Sequence, residues 1–100
     1  MKLLRIVLPK TARENLSDRL TENTDIVFWQ VWDVESRFTS DKNISVEESV
    51  AGSSKRVCFE ILASHEHIQN LLSSLKSCPM CERVGMIFWQ MDVENLEKEQ

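Results

Sequence analysis

The feature that most constrains this chain is an aromatic segment that occurs twice. The sequence FWQVWDVE at residues 28–35 returns as FWQMDVE at residues 88–94, with one residue missing from the second copy. Aromatic and β-branched residues dominate both copies, and such residues favour strands. Each copy follows a shorter apolar run and then a segment with helical periodicity. The repeat therefore predicts two related βαβ-type halves, as in the ferredoxin-like fold of βαββαβ order.

The first half of the chain has the pattern strand, helix, strand. Residues 2–8 form an apolar run that is too short for a helix in a domain of this size. Thr11 and Glu14 have the spacing of a capping box, and the apolar residues after them recur every fourth position, which predicts a helix over 12–23. The β-rich segment 25–38 is the predicted second strand.

The second half repeats this order after a polar excursion over residues 39–54. Alternating residues over 56–63 predict a third strand. Ser64 is a suitable N-cap for a second helix, which Pro79 must end. Residues 83–93 supply the last strand. We therefore expect an α+β domain over residues 1–95, with an antiparallel sheet, two helices on one of its faces, and an acidic C-terminal tail at 96–100.

In the ferredoxin-like arrangement the repeated strands lie at the two edges of the sheet. Long apolar edge strands tend to pair with other chains unless something covers them, so we predict a closed homo-oligomer. The alternative is that these aromatic residues face the helices as ordinary core. Alternation along a strand puts Phe28 and Trp29 on opposite faces of the sheet, so these two cannot both lie beneath the same helices. The predicted interface residues are Phe28, Trp29, Trp32, Phe88 and Trp89.

Composition excludes several functional classes. The 100 residues suffice for one domain, and 42% hydrophobic with 28% charged residues is typical of a folded soluble protein. A net charge of −4 with scattered basic residues argues against nucleic acid as a partner. Three cysteines without an export signal indicate reduced thiols and a cytoplasmic location. Because no catalytic motif is present, we do not expect an enzyme.

Three short segments in this order resemble a known family. They are the opening Met1-Lys2-Leu3 strand running to Pro9-Lys10, the segment SVEESVAG at 45–52 before strand three, and Gly85-x-Ile87-Phe88 leading to the DVE ending at 92–94. Together they resemble the PII-like superfamily, which includes the nitrogen regulatory PII proteins and CutA-like trimers. The likeness is greatest to its short bacterial members, often found beside metal-efflux genes, and it covers most of the chain.

The resemblance implies a homotrimeric signalling protein with its sheets inside and a T-loop at about 39–54. It also implies a small effector in the clefts between subunits and a partner protein, such as a membrane transporter. The glycine- and lysine-bearing phosphate loop of true PII proteins is replaced here by CPMCER at 78–83, so nucleotide binding does not carry over. The chain has no tyrosine to modify in the T-loop. The positions that match the effector site are Arg37, Phe38, Thr39, Gly52, Lys55, Arg56, Arg83 and Gly85.

Cys78-x-x-Cys81 offers a second chemistry, because two thiolates at this spacing can chelate a soft metal such as zinc or copper(I). A structural zinc site needs two more ligands. His65 and His67 lie at the other end of helix two, too far away to complete it within one subunit. The pair is otherwise explained as ordinary turn cysteines. The sequence thus leaves three functions open, namely an effector-binding signalling protein, a soft-metal binding protein, and an oligomerisation module without a ligand.

Overall fold

The structure is a computed structural model that describes residues 1–36, 54–77 and 86–97. Within these ranges the elements follow the predicted βαββαβ order, so the α+β, ferredoxin-like prediction is confirmed. A short 3-10 turn at Lys10–Ala12 joins the first strand to the first helix. The elements are β1 (Lys2–Pro9), α1 (Arg13–Glu22), β2 (Phe28–Ser36), β3 (Ser54–Ala63), α2 (His65–Lys76) and β4 (Ile87–Asp92).

The strands form one antiparallel sheet in the order β2-β3-β1-β4. The two central strands are β3 and β1, and Ile6 of β1 lies opposite both Phe59 of β3 and Phe88 of β4. The repeated segment therefore forms both edges of the sheet, as predicted from its position in the fold.

The second helix begins as its sequence predicts, and the first does not. Ser64 caps α2, where its side-chain oxygen accepts a hydrogen bond from the backbone N–H of His67 at 3.3 Å. The predicted capping box of α1 is wrong, because the N-cap is Ala12 and no side chain caps it. The chain turns directly after Pro9, so Thr11 lies inside the 3-10 turn and not before the helix.

Strand boundaries differ from the prediction by a few residues. The strand β2 begins at Phe28 rather than at Asp25, because Asp25 N–H donates to the Asn23 side chain at 3.0 Å in a turn. At the other end of the excursion β3 already begins at Ser54, so the last residue of the predicted T-loop is in a strand. The rest of that loop, residues 39–53, lies outside the described residues.

Both helices pack on one face of the sheet. Alternate side chains of β1 and β3 point toward the helices, and those that form the core are at most 1% exposed. Cross-strand pairs such as Ile6 and Phe59 meet Leu16 and Leu20 of α1 and the apolar stripe of α2. The buried residues of the two central strands on this face are Leu4, Ile6, Leu8, Val57, Phe59, Ile61 and Ala63.

The other face of the sheet, here called the open face, carries three rows of side chains that cross all four strands, and a shorter row, Val34-Arg56-Pro9, where β2 ends and β3 begins. The outer two of the three full rows are apolar apart from Cys58, and the middle row is mostly polar. In the order β2, β3, β1, β4 the full rows are Phe28-Leu62-Leu3-Met91, then Gln30-Glu60-Arg5-Trp89, then Trp32-Cys58-Val7-Ile87. None of the helices in the described part of the chain is long and apolar enough to cross a membrane.

Candidate functional site

The open face exposes large apolar side chains that the molecule leaves partly in water. Phe28 is 48% exposed, Trp89 42%, Met91 39% and Trp32 38%. All four lie on this one face, two at each edge of the sheet. Large exposed apolar side chains grouped on one face of a sheet are typical of an interaction surface.

The five predicted interface aromatics divide between the two faces. Phe28, Trp32 and Trp89 belong to the open face, while Trp29 and Phe88 pack against the helix-side core. The ring centroid of Trp29 lies 6.1 Å from that of Phe59. The core alternative that the sequence leaves open therefore describes Trp29 and Phe88, and the role of the other three in an interface stays a prediction.

A hydrogen-bonded polar row crosses the open face between its two apolar rows. Glu60 accepts at Oε1 from Gln30 Nε2 and at Oε2 from Arg5 Nε, both at 2.8 Å. The Glu60 side chain is only 13% exposed, whereas that of Arg5 is 39% exposed. Both carboxylate oxygens are thus satisfied within one chain, and the row is held in place before any partner arrives.

Cys58 lies in the adjoining row, opposite Trp32 and Val7, and is 5% exposed. Burial raises the pKa of its thiol above the ordinary 9.0. The charge of Arg5 lowers this pKa and that of Glu60 raises it further, both by smaller amounts. The thiol is therefore protonated near neutral pH, which makes it a weak nucleophile and a poor metal ligand.

The second feature is a groove of about 430 Å³ where β2 ends and β3 begins, here called the loop-base groove. Asp33 accepts from Lys10 Nζ at 3.4 Å and from Arg13 Nη1 at 3.2 Å on its two carboxylate oxygens. Basic side chains outnumber the carboxylates here, although the whole chain is acidic. The groove is lined by Lys10, Asp33, Val34, Glu35, Lys55 and Arg56.

Two of the predicted effector-site residues are at this groove. Lys55 is exposed opposite Glu35 of β2, and Arg56 is 1% exposed opposite Val34. Their roles stay predictions. The other residues proposed for the effector or for a metal, namely Arg37, Phe38, Thr39, Gly52, Arg83, Gly85, Cys78 and Cys81, lie outside the described residues.

Sequence reasoning missed the ion pairs of Asp33, although the repeat contains a signal for them. Asp33 and Asp92 are equivalent positions in the two copies of the repeated segment. Both pair with basic residues, Asp33 with Lys10 at one end of the sheet and Asp92 with Lys2 at the other. The hydrogen bond from Lys2, followed by its charge, lowers the pKa of the Asp92 carboxyl. An acidic residue kept in both copies was the available clue.

The start of α2 brings together a serine, a histidine and an aspartate that the sequence order does not suggest. Ser64 Oγ lies 2.8 Å from His67 Nδ1, and His67 Nε2 lies 3.5 Å from Asp25 Oδ2. Because Ser64 also caps the helix, these contacts tie α2 to the turn before β2. Among the described residues, no group of three or more His, Cys, Asp and Glu side chains is placed to hold a metal ion.

Comparison with solved structures defines the class of this fold. The chain is similar to a candidate PII-like signalling protein from Thermus thermophilus, with a TM-score of 0.63, 16% identity, and coverage of 92% of this chain and 85% of that one. It is also similar to the crystal structure of a DUF3240 family protein from Shewanella baltica, with a TM-score of 0.78, 15% identity, and coverage of 99% and 96%. These likenesses establish a fold shared with PII-like proteins.

The family itself follows from the sequence. Residues 1–98 match the model of the family described as "Protein of unknown function (DUF3240)", and the chain belongs to this family. No curated protein matches it. The resemblance to the PII-like superfamily is thus supported at the level of the fold, and the association with metal efflux stays a prediction.

Proposed function

We propose that this protein is a PII-like regulatory protein that self-associates through the open face and binds a small anionic effector in the loop-base groove. The observation that carries the proposal is the excess of basic side chains at this groove in an otherwise acidic chain. Three basic side chains line the groove against two carboxylates, and an excess of positive charge raises the local concentration of anions.

Self-association is supported by the open face. Burying Phe28, Trp32, Trp89 and Met91 against other copies removes from water the apolar surface that the helices do not cover. The PII resemblance sets the expected number of copies at three. In such a homotrimer the sheets lie inside and the helices outside.

Effector binding is supported by the position of the groove at the ends of β2 and β3, directly before and after residues 37–53. Lys10 and Lys55 provide exposed cationic groups for an anion. Asp33 of the groove holds Lys10 and the half-buried Arg13 in place. An anion that binds here contacts the points where the predicted T-loop enters and leaves the sheet. Its binding therefore selects among loop arrangements, and the loop engages a partner protein such as a transporter in the cytoplasm. No catalytic step is part of this proposal.

Titration calorimetry with ATP, ADP and inorganic phosphate as separate probes tests the groove. We expect at least one probe to bind and its affinity to fall about tenfold in Lys55→Gln, since one charge-assisted contact contributes about 1.5 kcal/mol. Lys2→Gln is the matched control, because Lys2 lies at the opposite end of β1 from the groove. Equal affinity in the wild type and Lys55→Gln, or no binding by any probe, contradicts the proposal that the loop-base groove binds the effector.

A soft-metal binder remains the second candidate, and the Cys78-x-x-Cys81 spacing is the observation that favours it. It predicts stoichiometric uptake of zinc or copper(I) by the reduced protein and loss of uptake in Cys78→Ser. Absence of uptake eliminates it. An oligomerisation module without a ligand is the function that stays if neither anions nor metals bind.

A further inference from the structure

We propose that the polar row Gln30-Glu60-Arg5 determines the register in which copies of this chain pack on one another's open face. The inference rests on the self-association proposed above and goes beyond it, because it assigns specificity to three named side chains. Apolar rows alone attract without fixing position, since one apolar row packs acceptably against another. A polar row between them does fix the position, because polar groups that are shifted away from their partners are buried without hydrogen bonds.

The row is suited to burial because its charges cancel. The Glu60 carboxylate lies between the Arg5 guanidinium and the Gln30 amide, with both oxygens bonded at 2.8 Å. A second copy can therefore cover the row without burying a net charge. Removing Arg5 or Glu60 alone, by contrast, leaves an uncompensated buried charge, which is strongly unfavourable.

The two polar side chains that flank Glu60 differ in chemistry. A guanidinium has five N–H donors, and the Glu60 bond uses only Nε of Arg5, so further donors point from its partly exposed side chain. At the opposite end Gln30 is exposed and donates through Nε2, so its amide oxygen is still an acceptor. The row therefore offers donors on β1 and an acceptor on β2, and Trp89 of β4 flanks the donors.

Because the same row carries both donors and an acceptor, it is complementary to itself, and a second copy of the chain is the occupant that this complementarity favours. In a head-to-tail ring the β1 side of one copy's row faces the β2 side of the next copy's row, so Arg5 of one copy, next to its own Trp89, donates to the Gln30 oxygen of its neighbour. Successive rows are about 7 Å apart along the strands. A slip by one row places the Arg5 donors against the apolar side chains of Phe28 or Trp32, where they find no acceptor.

Sedimentation velocity over a range of concentrations tests the proposal with three proteins. The triple variant Arg5→Leu, Gln30→Leu, Glu60→Leu removes every polar group of the row while keeping its bulk. We expect the wild type to form one assembled species. The triple variant should assemble at least as readily, but distribute over two or more sizes.

A triple variant that forms the same single species overturns the proposal. So does a triple variant that no longer assembles while circular dichroism shows it folded, because the row then supplies affinity and not register. A monomeric wild type instead refutes the self-association on which the inference rests. A wild type that assembles only with another protein bound refutes the second copy as occupant.

Glu60→Gln provides a near-isosteric second variant that keeps the fold. It leaves the Arg5 charge without its carboxylate, and we expect the dissociation constant of the assembly to increase at least about tenfold. The matched control is Lys2→Gln with Asp92→Asn, which removes a different cross-strand ion pair. This pair joins β1 to β4 and lies on the helix side of the sheet. The control should leave the size distribution unchanged, and an unchanged dissociation constant in Glu60→Gln contradicts the role of the row.

Discussion

The two faces of this sheet are built from the same four strands and differ in what covers them. On the helix side, Ile6, Phe59 and Ile61 are fully buried under α1 and α2. On the open face, Trp32 and Trp89 are about two-fifths exposed, and the hydrogen-bonded polar groups of Gln30, Glu60 and Arg5 lie in the same row as Trp89. The helix side is complete within one chain, whereas the open face has an arrangement that suits another copy.

The comparison also shows why the polar groups lie where they do. A helix that is covalently tied to its strand needs no device to set its position, so the helix side of the central strands is purely apolar at its centre. A copy that arrives by diffusion can dock in several positions. Polar groups with fixed partners then discriminate among these positions, as single buried polar residues do in coiled coils.

The largest effect is expected from Phe59→Ala on the helix side. Phe59 is fully buried and contacts Trp29, so truncation leaves a cavity in the core. The free energy of unfolding should fall by about 3–5 kcal/mol. Urea denaturation followed by circular dichroism measures it, and a loss below about 1 kcal/mol would show that the helix side is not the core.

Trp32→Ala makes the equivalent change on the open face. Because Trp32 is already 38% exposed, most of its burial is expected on assembly. Truncating such an aromatic anchor should weaken association by about 2 kcal/mol or more. The unfolding free energy of the dissociated chain should fall by less than half of the Phe59→Ala loss. If Trp32→Ala and Phe59→Ala lost the same unfolding free energy at low protein concentration, the proposed difference between the two faces would be wrong.

Cys58 reports how well the open face is protected. In a Cys78→Ser, Cys81→Ser background, we expect iodoacetamide to modify Cys58 more slowly than a free cysteine, with a midpoint above pH 9.0, because burial raises its pKa. The unfolded thiol ionises first, so stability should decrease as the pH rises through 9.0. Trp32→Ala should accelerate the modification. A rate equal to that of free cysteine contradicts the protected position.

Asp92→Asn at the edge of the sheet should have the smallest effect. The pKa of Asp92 is lowered by its hydrogen bond and ion pair with Lys2. The stability from this pair is therefore present above the ordinary pKa of 3.8 and decreases as the pH falls through the lower, folded value. The difference in unfolding temperature between wild type and variant should thus be small at pH 7 and shrink in acid. A difference that grows in acid contradicts the assignment.

The fold could be predicted from the sequence because its strongest signals are local or repeated. The twofold FWQ segment marked both edge strands, and Ser64 marked the start of α2. Less could be predicted of the site, because the Arg5–Glu60 bond joins residues 55 positions apart and the Asp33 pairs cross from β2 to the start of α1. Such contacts depend on strand register, which the residue pattern specifies only as inward or outward.

The most direct test of the central claim, that other copies of the chain cover the open face, is the solution mass of the wild-type protein at micromolar concentration. One chain has a mass of 11.6 kDa. Light scattering coupled to size-exclusion chromatography should give about three times this value, because the PII resemblance predicts a trimer. A mass of 11.6 kDa at every concentration would contradict the claim.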